Sequence, residues 1–482
     1  MSEVLVALVA LPISAAVLPP LLGWFRERTG WPVAAVALLG QFGLALALAT
    51  IVVEHGRVAY AVGGFPPPLG IELVVDGLSL PFVVLVAGVS LALLAYTRRG
   101  GPRSNPFYSL YLLLVAGLTG VCVTGDLFNL YVFLEISGLS AYALVARAAG
   151  GRAALAALKY LFLGTVGATF YLLGVGYAYV ATGTLNMADL AARLDPESTL
   201  TLTAFGLIGV GLAVKMALYP LHTWQPDAYE HAPTAVSALL SALVSTVAGY
   251  ALVRVTFGVF TVSLFRATPV LDEAILVVAS ASVVAGGVLA YRQTAVKRVF
   301  AYSSVAQFGL AAVGIGLGTV PAVVGAVVQL LGHAVMKGGL FAAGGVVASR
   351  TQASSLPDYA GIGSRTPWAG GALAVLGFGM VGIPPTVGFV AKWYLAVGAV
   401  QADAWIVLGV VVGSTLLSLT YFGRIVQQSY LVEGPESAAI DPAPVGMRTV
   451  AVGAAVATVA LGVLAIGVVS IVEPSVTLLL EP

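Results

Sequence analysis

Five ionisable side chains lie within long apolar segments of this chain: Glu135, Lys215, His333, Lys337 and Lys392. A charged group in hydrocarbon is unfavourable unless it is paired or hydrated, so such residues usually line a path for ions or protons. Carboxylate, imidazole and ammonium groups can all take up and release protons. The first hypothesis is therefore a proton path through a membrane.

The spacing of these residues indicates how they could act. An isolated Glu135 in an apolar helix would stay protonated, whereas a nearby lysine such as Lys215 would favour the carboxylate. We therefore expect an ion pair between them, with a purely structural pair as the alternative. His333 and Lys337 are four residues apart and share one helix face, which suits a proton relay, although a buried histidine can also serve packing alone. Lys392 either belongs to the path or extends to the membrane interface beside Trp393.

Further polar residues could supply hydrogen bonds along the same path. Hydroxyls and an amide occur near the start of a predicted helix, at Ser303, Ser304 and Gln307. They could bind water or neighbouring helices, and packing alone would also explain them. Residues of metal-ligand type occur in a short link, at His222, Asp227, Glu230 and His231. The shortness of this link favours the polar mouth of a pathway over a metal site.

The composition sets the environment. Hydrophobic residues make up 59% of the 482 residues, charged residues make up 9%, and the mean hydropathy is +1.01. A soluble domain of this composition would lack a polar coat, and apolar runs of about 20 residues, enough to span a bilayer, recur throughout. The net charge of +1 gives no indication of nucleic acid, and the single Cys122 excludes a disulfide framework or a cysteine metal cluster. No segment leaves room for a cofactor-binding module.

We predict an all-α polytopic membrane protein that forms one membrane domain over residues 1–482, with about fourteen transmembrane helices. The predicted spans are 4–24, 32–53, 74–96, 107–124, 128–147, 155–181, 201–220, 234–256, 273–290, 299–318, 321–347, 368–395, 404–428 and 448–472. Helices 1 to 3 lie within residues 1–100, and helix 14 is 448–472.

Two of these helices contain breaks. Helix 7 contains Pro220, and helix 12 contains Gly382, Pro384 and Pro385; proline removes a backbone hydrogen bond and clashes with the preceding turn. Proline can simply kink a membrane helix. Paired breaks in corresponding positions, however, point to an inverted-repeat transporter. We therefore predict two inverted five-helix repeats, helices 4 to 8 (107–256) and helices 9 to 13 (273–428).

The distribution of basic residues predicts the orientation. Lysine and arginine concentrate in the loops that follow odd-numbered helices, including Arg26, Arg98, Arg147, Arg292 and Arg350. Because such loops are usually cytoplasmic, we expect both termini on the extracytoplasmic side of the cell membrane.

Several stretches resemble one known family, the antiporter-like subunits shared by complex I, membrane-bound hydrogenases and Mrp cation/proton antiporters. These stretches include TGDLFNLYVFLEISGLSAYAL, VKMALYPLHTWQPDAYEHAPTAVSALLSALV, VKRVFAYSSVAQFG, GHAVMKGGLF and GIPPTVGFVAKWYL. Within the family, GDLFNLYVFLE and TGTLNMADL are most similar to the D-type member of the Mrp antiporters.

The resemblance implies fourteen helices, two inverted repeats and a polar axis across the middle of the membrane. It also implies that Glu135 and Lys215 form the pair of the first half, that His333 and Lys337 form the central link, and that Lys392 is the terminal lysine. One position departs from the pattern: members commonly carry a lysine in helix 8, where this chain has Thr246. A hydroxyl can relay a proton through water but cannot hold a charge, so the link between the halves is either water-mediated or weakened.

The sequence therefore favours a proton-conducting subunit of a multisubunit Na+/H+ antiporter, in contact with other membrane subunits, protons, Na+ and the lipid bilayer, and without a cofactor. Two alternatives remain. One is a proton-pumping subunit of a complex I-like or hydrogenase-like enzyme. The other is a non-transporting structural subunit, which Thr246 would favour.

Overall fold

A computed structural model describes residues 2–434 and 443–481, and most of them are helical. Within these residues, thirteen helices are long and apolar enough to cross a membrane. Helix 12 is divided into two shorter apolar parts, which together add one more span. The chain is therefore a polytopic membrane protein, as predicted.

The spans keep the numbers used above. Helices 1 to 6 are Glu3–Gly23, Gly30–His55, Leu80–Gly100, Asn105–Val123, Leu127–Val145 and Gly151–Thr182. Helices 7a, 7b, 8, 9, 10 and 11 are Thr199–Met216, Trp224–His231, Thr234–Gly258, Val270–Arg292, Val296–Leu317 and Val320–Thr351. Helices 12a, 12b, 13 and 14 are Pro367–Val381, Val387–Gln401, Trp405–Leu431 and Val445–Val463. Shorter helices are Met187–Arg193, Thr261–Ala267, Ile362–Arg365 and, after helix 14, Ala465–Leu480.

A small hairpin interrupts the helical pattern between helices 2 and 3. Strand β1, Val58–Ala61, pairs antiparallel with strand β2, Glu72–Val75. The prediction of an all-α chain assigned no strand here. Gly63 and Gly64, which follow β1, have φ values of 68° and 79°, and such left-handed backbone is readily adopted only by glycine. The chain can therefore reverse within a short connection.

The helices that carry most of the candidate residues lie at the centre of the bundle. All of the most apolar window of helix 8 is buried, as are 94% of that of helix 10 and 83% of that of helix 11. In contrast, only 33% is buried for helices 2, 9 and 13. Because lipid chains are as apolar as leucine, the outer helices can expose apolar faces, while polar groups concentrate between the inner helices.

Both predicted breaks are present, and they have the same local form. Helix 7a ends at Met216 and is followed by Ala217 at φ 61°; helix 12a ends at Val381 and is followed by Gly382 at φ 91°. Left-handed backbone is common directly after a helix end, and it costs a non-glycine residue such as Ala217 roughly 1 to 3 kcal/mol. Each of the two predicted repeats thus contains one interrupted helix.

Several predicted boundaries were wrong. Helix 3, predicted from residue 74, begins at Leu80 because Glu72–Val75 forms strand β2, and helix 12, predicted to end at residue 395, continues to Gln401. The link expected after helix 7 contains helix 7b, so His231 lies on a half-helix and His222 lies in the break itself. Helix 14, predicted as one helix over 448–472, ends at Val463, and a second helix begins at Ala465. Helix 7b was missed because it is short and largely polar, and the end of helix 14 was missed because the apolar run continues through Leu464 into the next helix.

Candidate functional site

Glu135 of helix 5 and Lys215 of helix 7a form a buried ion pair. Lys215 Nζ lies 2.7 Å from Glu135 Oε1, and the two side chains are 20% (Glu135) and 6% (Lys215) exposed. The same ammonium lies 3.3 Å from the hydroxyl of Tyr142. A Cβ added to Gly138 would lie 3.0 Å from both Lys215 Nζ and the Tyr142 hydroxyl. The glycine therefore provides the space in which the ammonium meets its partners.

Lys215 and Lys392 occupy comparable positions at the two breaks. Lys215 lies in the last turn of helix 7a. Lys392, on helix 12b, donates a hydrogen bond of 2.8 Å to the carbonyl of Val381, the last residue of helix 12a. The C-terminal end of a helix has unpaired carbonyls and a partial negative charge, which favour a cation. Each interrupted helix therefore has one ammonium at the end of its first half.

Lys392 is buried and does not extend to the membrane interface. It is 7% exposed, and its Nζ donates a second hydrogen bond of 3.1 Å to Thr415 Oγ1 of helix 13. The adjacent Trp393 is 59% exposed. The tryptophan thus faces outwards while the lysine faces the interior, as a path residue would.

Lys337 of helix 11 is fully buried and has neutral partners. Its Nζ donates to the carbonyl of Phe300 at 2.7 Å and also to Ser303 Oγ. Ser303 and Ser304 both donate to the same Phe300 carbonyl. Among the described residues, no carboxylate lies within salt-bridge distance of Lys337, in contrast to Lys215. An ammonium held only by neutral groups is more costly to bury than one beside a carboxylate.

A pair of buried amides lies between helix 11 and the break in helix 12. Gln329 donates to Gln307 Oε1 at 2.6 Å, and Gln307 donates to the carbonyl of Met380 at 3.3 Å. Gln329 precedes His333 by four residues and therefore shares its helix face. The amide pair connects the histidine face to the end of helix 12a, where Lys392 is bound. The sequence interpretation missed Gln329, although its spacing from His333 would have revealed it.

Thr246 of helix 8 and His333 of helix 11 lie at about the same level of two packed helices, and the His333 ring packs against Phe308, with centroids 4.4 Å apart. A Cβ added to Gly249 would lie 2.7 Å from Leu330, and one added to Gly338 would lie 3.3 Å from Ala242. These contacts define an antiparallel register that places Thr246 at the level of His333. The hydroxyl of Thr246 and both ring nitrogens of His333 have no hydrogen-bond partner among the described residues. Just before Thr246, helix 8 adopts one π-helical segment, Leu240–Val244, a feature that is frequent at functional sites.

Charged residues gather where helices 6, 7b and 10 meet. Asp227 lies 2.7 Å from Lys159 and 3.2 Å from Arg298, which in turn lies 2.7 Å from Glu230. His231 Nδ1 lies 3.0 Å from the backbone carbonyl oxygen of Asp227 in the same helix. We call the side of the bundle that carries this cluster the basic face. His222 does not join the cluster: its buried ring packs near Tyr219 and Tyr302.

The sequence interpretation also missed a second, half-buried ion pair, on the opposite side of the bundle. Arg254 of helix 8 donates to both carboxylate oxygens of Asp76, each at 2.8 Å. Burial opposes ionisation of Asp76, but the guanidinium of Arg254 more than offsets it and lowers the pKa of this carboxyl below its usual value. Asp76 lies in the turn before helix 3, far from Arg254 in sequence, so no local pattern could have paired them.

The fold and this series of buried groups define a class of membrane protein: a helical bundle with two broken helices and ionisable residues along its centre. Residues 124–418 match the family described as NADH:quinone oxidoreductase/Mrp antiporter, transmembrane. The chain belongs to this family and is an antiporter-like membrane subunit, as its motifs predicted.

Individual relatives come from both branches of the family. The chain is 45% identical over 424 residues to the N subunit of the NADH-quinone oxidoreductase of Desulforudis audaxviator, covering 86% of this chain and 84% of the relative. It is 31% identical over 393 residues to the D subunit of the Na(+)/H(+) antiporter of Alkalihalophilus pseudofirmus, covering 80% and 79%. A chain in the structure of the membrane-bound sulfane sulfur reductase, an archaeal respiratory membrane complex, superposes with a TM-score of 0.92 at 31% identity, covering 99% and 98%.

Proposed function

We propose that this chain translocates protons through the buried series formed by Glu135, Lys215, His333, Lys337 and Lys392. The observation that carries the proposal is the ion pair of 2.7 Å between Lys215 and Glu135 at the end of a half-helix. Lys215 has two alternative partners, Glu135 and the Tyr142 hydroxyl. When a proton neutralises Glu135, the ammonium loses its counter-ion, and its preference among these partners changes. The pair can therefore couple proton uptake to a shift of charge.

The second half continues from His333 to Lys392. Gln329 and Gln307 connect the face of His333 to the end of helix 12a. Lys337 and Lys392 are held by carbonyls and hydroxyls, so each retains uncharged acceptors when its proton leaves. Ser303 and Ser304 keep the Phe300 carbonyl hydrogen-bonded when Lys337 is neutral. We place the exit of the path at Lys392, beyond the second break.

The two halves meet at Thr246 and His333. Their unpartnered polar atoms belong to residues at the same level of packed helices, and buried polar groups without a protein partner commonly bind an ordered water molecule. We infer that the link between the halves is water-mediated here, with the threonine hydroxyl in place of the lysine that other family members carry. The alternative of a purely structural subunit is less well supported, because the polar series continues on both sides of Thr246.

Replacing Thr246 tests this link. We expect Thr246→Val, which keeps the shape but removes the hydroxyl, to slow proton translocation by about tenfold, the equivalent of one lost hydrogen bond in the rate-limiting step. Thr246→Ser keeps the hydroxyl and should retain the rate. The measurement is the pH change inside vesicles that contain the purified complex. Equal rates in the two variants would show that the hydroxyl takes no part.

Two host complexes are proposed, each supported by a relative. The first is a Mrp-type antiporter in which the chain exchanges protons for Na+ together with other membrane subunits, as its 31% identity to the D subunit of a Na(+)/H(+) antiporter suggests. The second is a redox-driven proton pump, which the 45% identity to the N subunit of a NADH-quinone oxidoreductase favours. In either host, we propose that the basic face is cytoplasmic and that both termini are extracytoplasmic in the cell membrane.

Purification of the intact complex distinguishes the hosts. The antiporter predicts that added Na+ collapses an imposed proton gradient across vesicles without any electron donor. The redox pump predicts copurifying redox subunits and proton movement that requires electron transfer. A complex that shows neither behaviour would refute the proposal of proton translocation.

A further inference from the structure

A cavity of about 430 Å³ enters the bundle from the basic face between helices 7b, 10 and 11. Its outer wall includes Thr294 and Ser354, which are exposed, and its inner end is formed by Phe300 and Phe341, which are each 1% exposed. A volume of this size holds on the order of ten water molecules. The cavity therefore brings solvent space from the surface to a buried pair of aromatic rings.

Phe300 and Phe341 line this cavity, and Phe300 also binds Lys337. The rings of Phe300 and Phe341 meet edge to face, with centroids 5.4 Å apart. The Phe300 carbonyl accepts the hydrogen bond from Lys337 Nζ at 2.7 Å. Phe300 thus contributes its ring to the cavity wall and its carbonyl to the ammonium. Phe300 therefore contacts both the cavity and the buried lysine, whose Nζ also lies 5.6 Å from the centroid of the Phe422 ring.

The glycine beside this ring leaves it room to change position. A Cβ added to Gly344 would lie 3.3 Å from Phe300 Cε2 and 3.4 Å from the Tyr359 hydroxyl. Distances in this range are tighter than ordinary van der Waals contact, so a side chain at 344 would press on the ring. Glycine at this position keeps the ring free of that contact.

The charged groups at the mouth disfavour a bound metal cation. Lys297 lines the cavity, and its Nζ donates to the carbonyls of Glu230 and Ala232 at 3.3 and 2.9 Å. The Glu230 carboxylate, which also lines the cavity, lies 2.7 Å from Arg298. This carboxylate is therefore paired with an arginine, and the ammonium of Lys297 opposes entry of another cation.

We propose that this cavity is the port through which protons from the basic face reach Lys337, and that Phe300 and Phe341 close its inner end. The proposal rests on the proposed function and adds to it a point of entry and a barrier. A barrier is needed because an open water column between the two faces would let protons leak without coupling.

Blocking the cavity tests the port. Ala348 lines the cavity on helix 11, and the chain's one native cysteine, Cys122, is buried. In the reconstituted complex, modification of Ala348→Cys by a bulky, membrane-impermeant thiol reagent should lower proton translocation severalfold. The matched control is Ala149→Cys, exposed after helix 5 on the basic face, whose modification should leave the rate unchanged. Complete modification of Ala348→Cys with an unchanged rate would overturn the port.

Opening the barrier tests the aromatic pair. Phe300→Ala should raise the passive proton leak of vesicles severalfold when no driving reaction is present. Phe107→Ala is the control, since Phe107 is also 1% exposed and lies near the N-terminal end of helix 4. If Phe300→Ala does not assemble, Gly344→Ala, which presses on the ring, should slow translocation instead. A tight Phe300→Ala complex or an unaltered Gly344→Ala complex would refute the barrier. Neither result would affect the proposed function, which fails only if the unmodified complex moves no protons.

Discussion

Lys215→Met is expected to lower proton translocation by about a hundredfold, the size of effect typical of removing a positioned proton-transfer group. The reason lies in the pair of 2.7 Å with Glu135, at the negative end of helix 7a. Without the ammonium, protonation of Glu135 no longer moves a counter-charge. The measurement is the initial rate of pH change in vesicles that contain the reconstituted complex.

The same substitution should also lower stability. Removal of one partner of a buried ion pair leaves the other uncompensated, which typically lowers the free energy of unfolding by about 3 to 5 kcal/mol. Because the side chain of Glu135 is 20% exposed, we expect a loss at or below the lower end of this range. The double variant Glu135→Gln with Lys215→Met removes both charges and should recover much of that stability without recovering translocation. Thermal unfolding in detergent, measured beside the transport rate, separates the two effects.

Lys159→Met supplies a matched control. Lys159 forms an ion pair of the same length, 2.7 Å, with Asp227, but its side chain is 52% exposed. Exposed pairs contribute about 0 to 1 kcal/mol, so we expect little change in stability or translocation. Normal translocation in Lys215→Met, or an equal loss in Lys159→Met, would contradict the assignment of the buried pair to the path.

The sequence predicted the residues and the helix breaks of this site better than the contacts between distant helices. Five ionisable residues in apolar helices could be identified because charge in hydrocarbon is rare, and both breaks could be placed because proline and glycine act locally on the backbone. The partner of Lys215 could be guessed because Glu135 is the one acidic residue within helix 5. These inferences need only the chain's local chemistry.

Contacts between distant helices could not be predicted in the same way. The bond from Lys392 to Val381 depends on how helix 12b folds back against helix 12a. The pairing of Asp76 with Arg254 depends on the packing of helix 8 beside the turn before helix 3. Hydropathy gives no information on either. The position of Thr246 at the level of His333 likewise follows only from the register of helices 8 and 11.

Lys337→Met is also expected to abolish translocation but, unlike Lys215→Met, without a loss of stability. Lys337 is fully buried with neutral partners, so the substitution removes a charge that the interior does not compensate. Methionine has a similar shape, and the Phe300 carbonyl still accepts from Ser303 and Ser304. Replacement of buried charge by apolar groups of similar volume is often neutral or stabilising by about 1 to 4 kcal/mol. Translocation should fall by about a hundredfold, while the unfolding temperature stays the same or rises.

Gln41→Met is the matched control for Lys337→Met, and we expect it to lower stability but not translocation. Gln41 of helix 2 is also fully buried, and it donates to the carbonyl of Leu8 at 3.1 Å and to Thr119 Oγ1 at 2.9 Å. Its loss should lower stability by about 1 kcal/mol through the missing hydrogen bonds and leave translocation intact, because it lies outside the series. If Lys337→Met instead resembled Gln41→Met, with lower stability and normal translocation, the ammonium would be a structural element and the path would have to bypass helix 11.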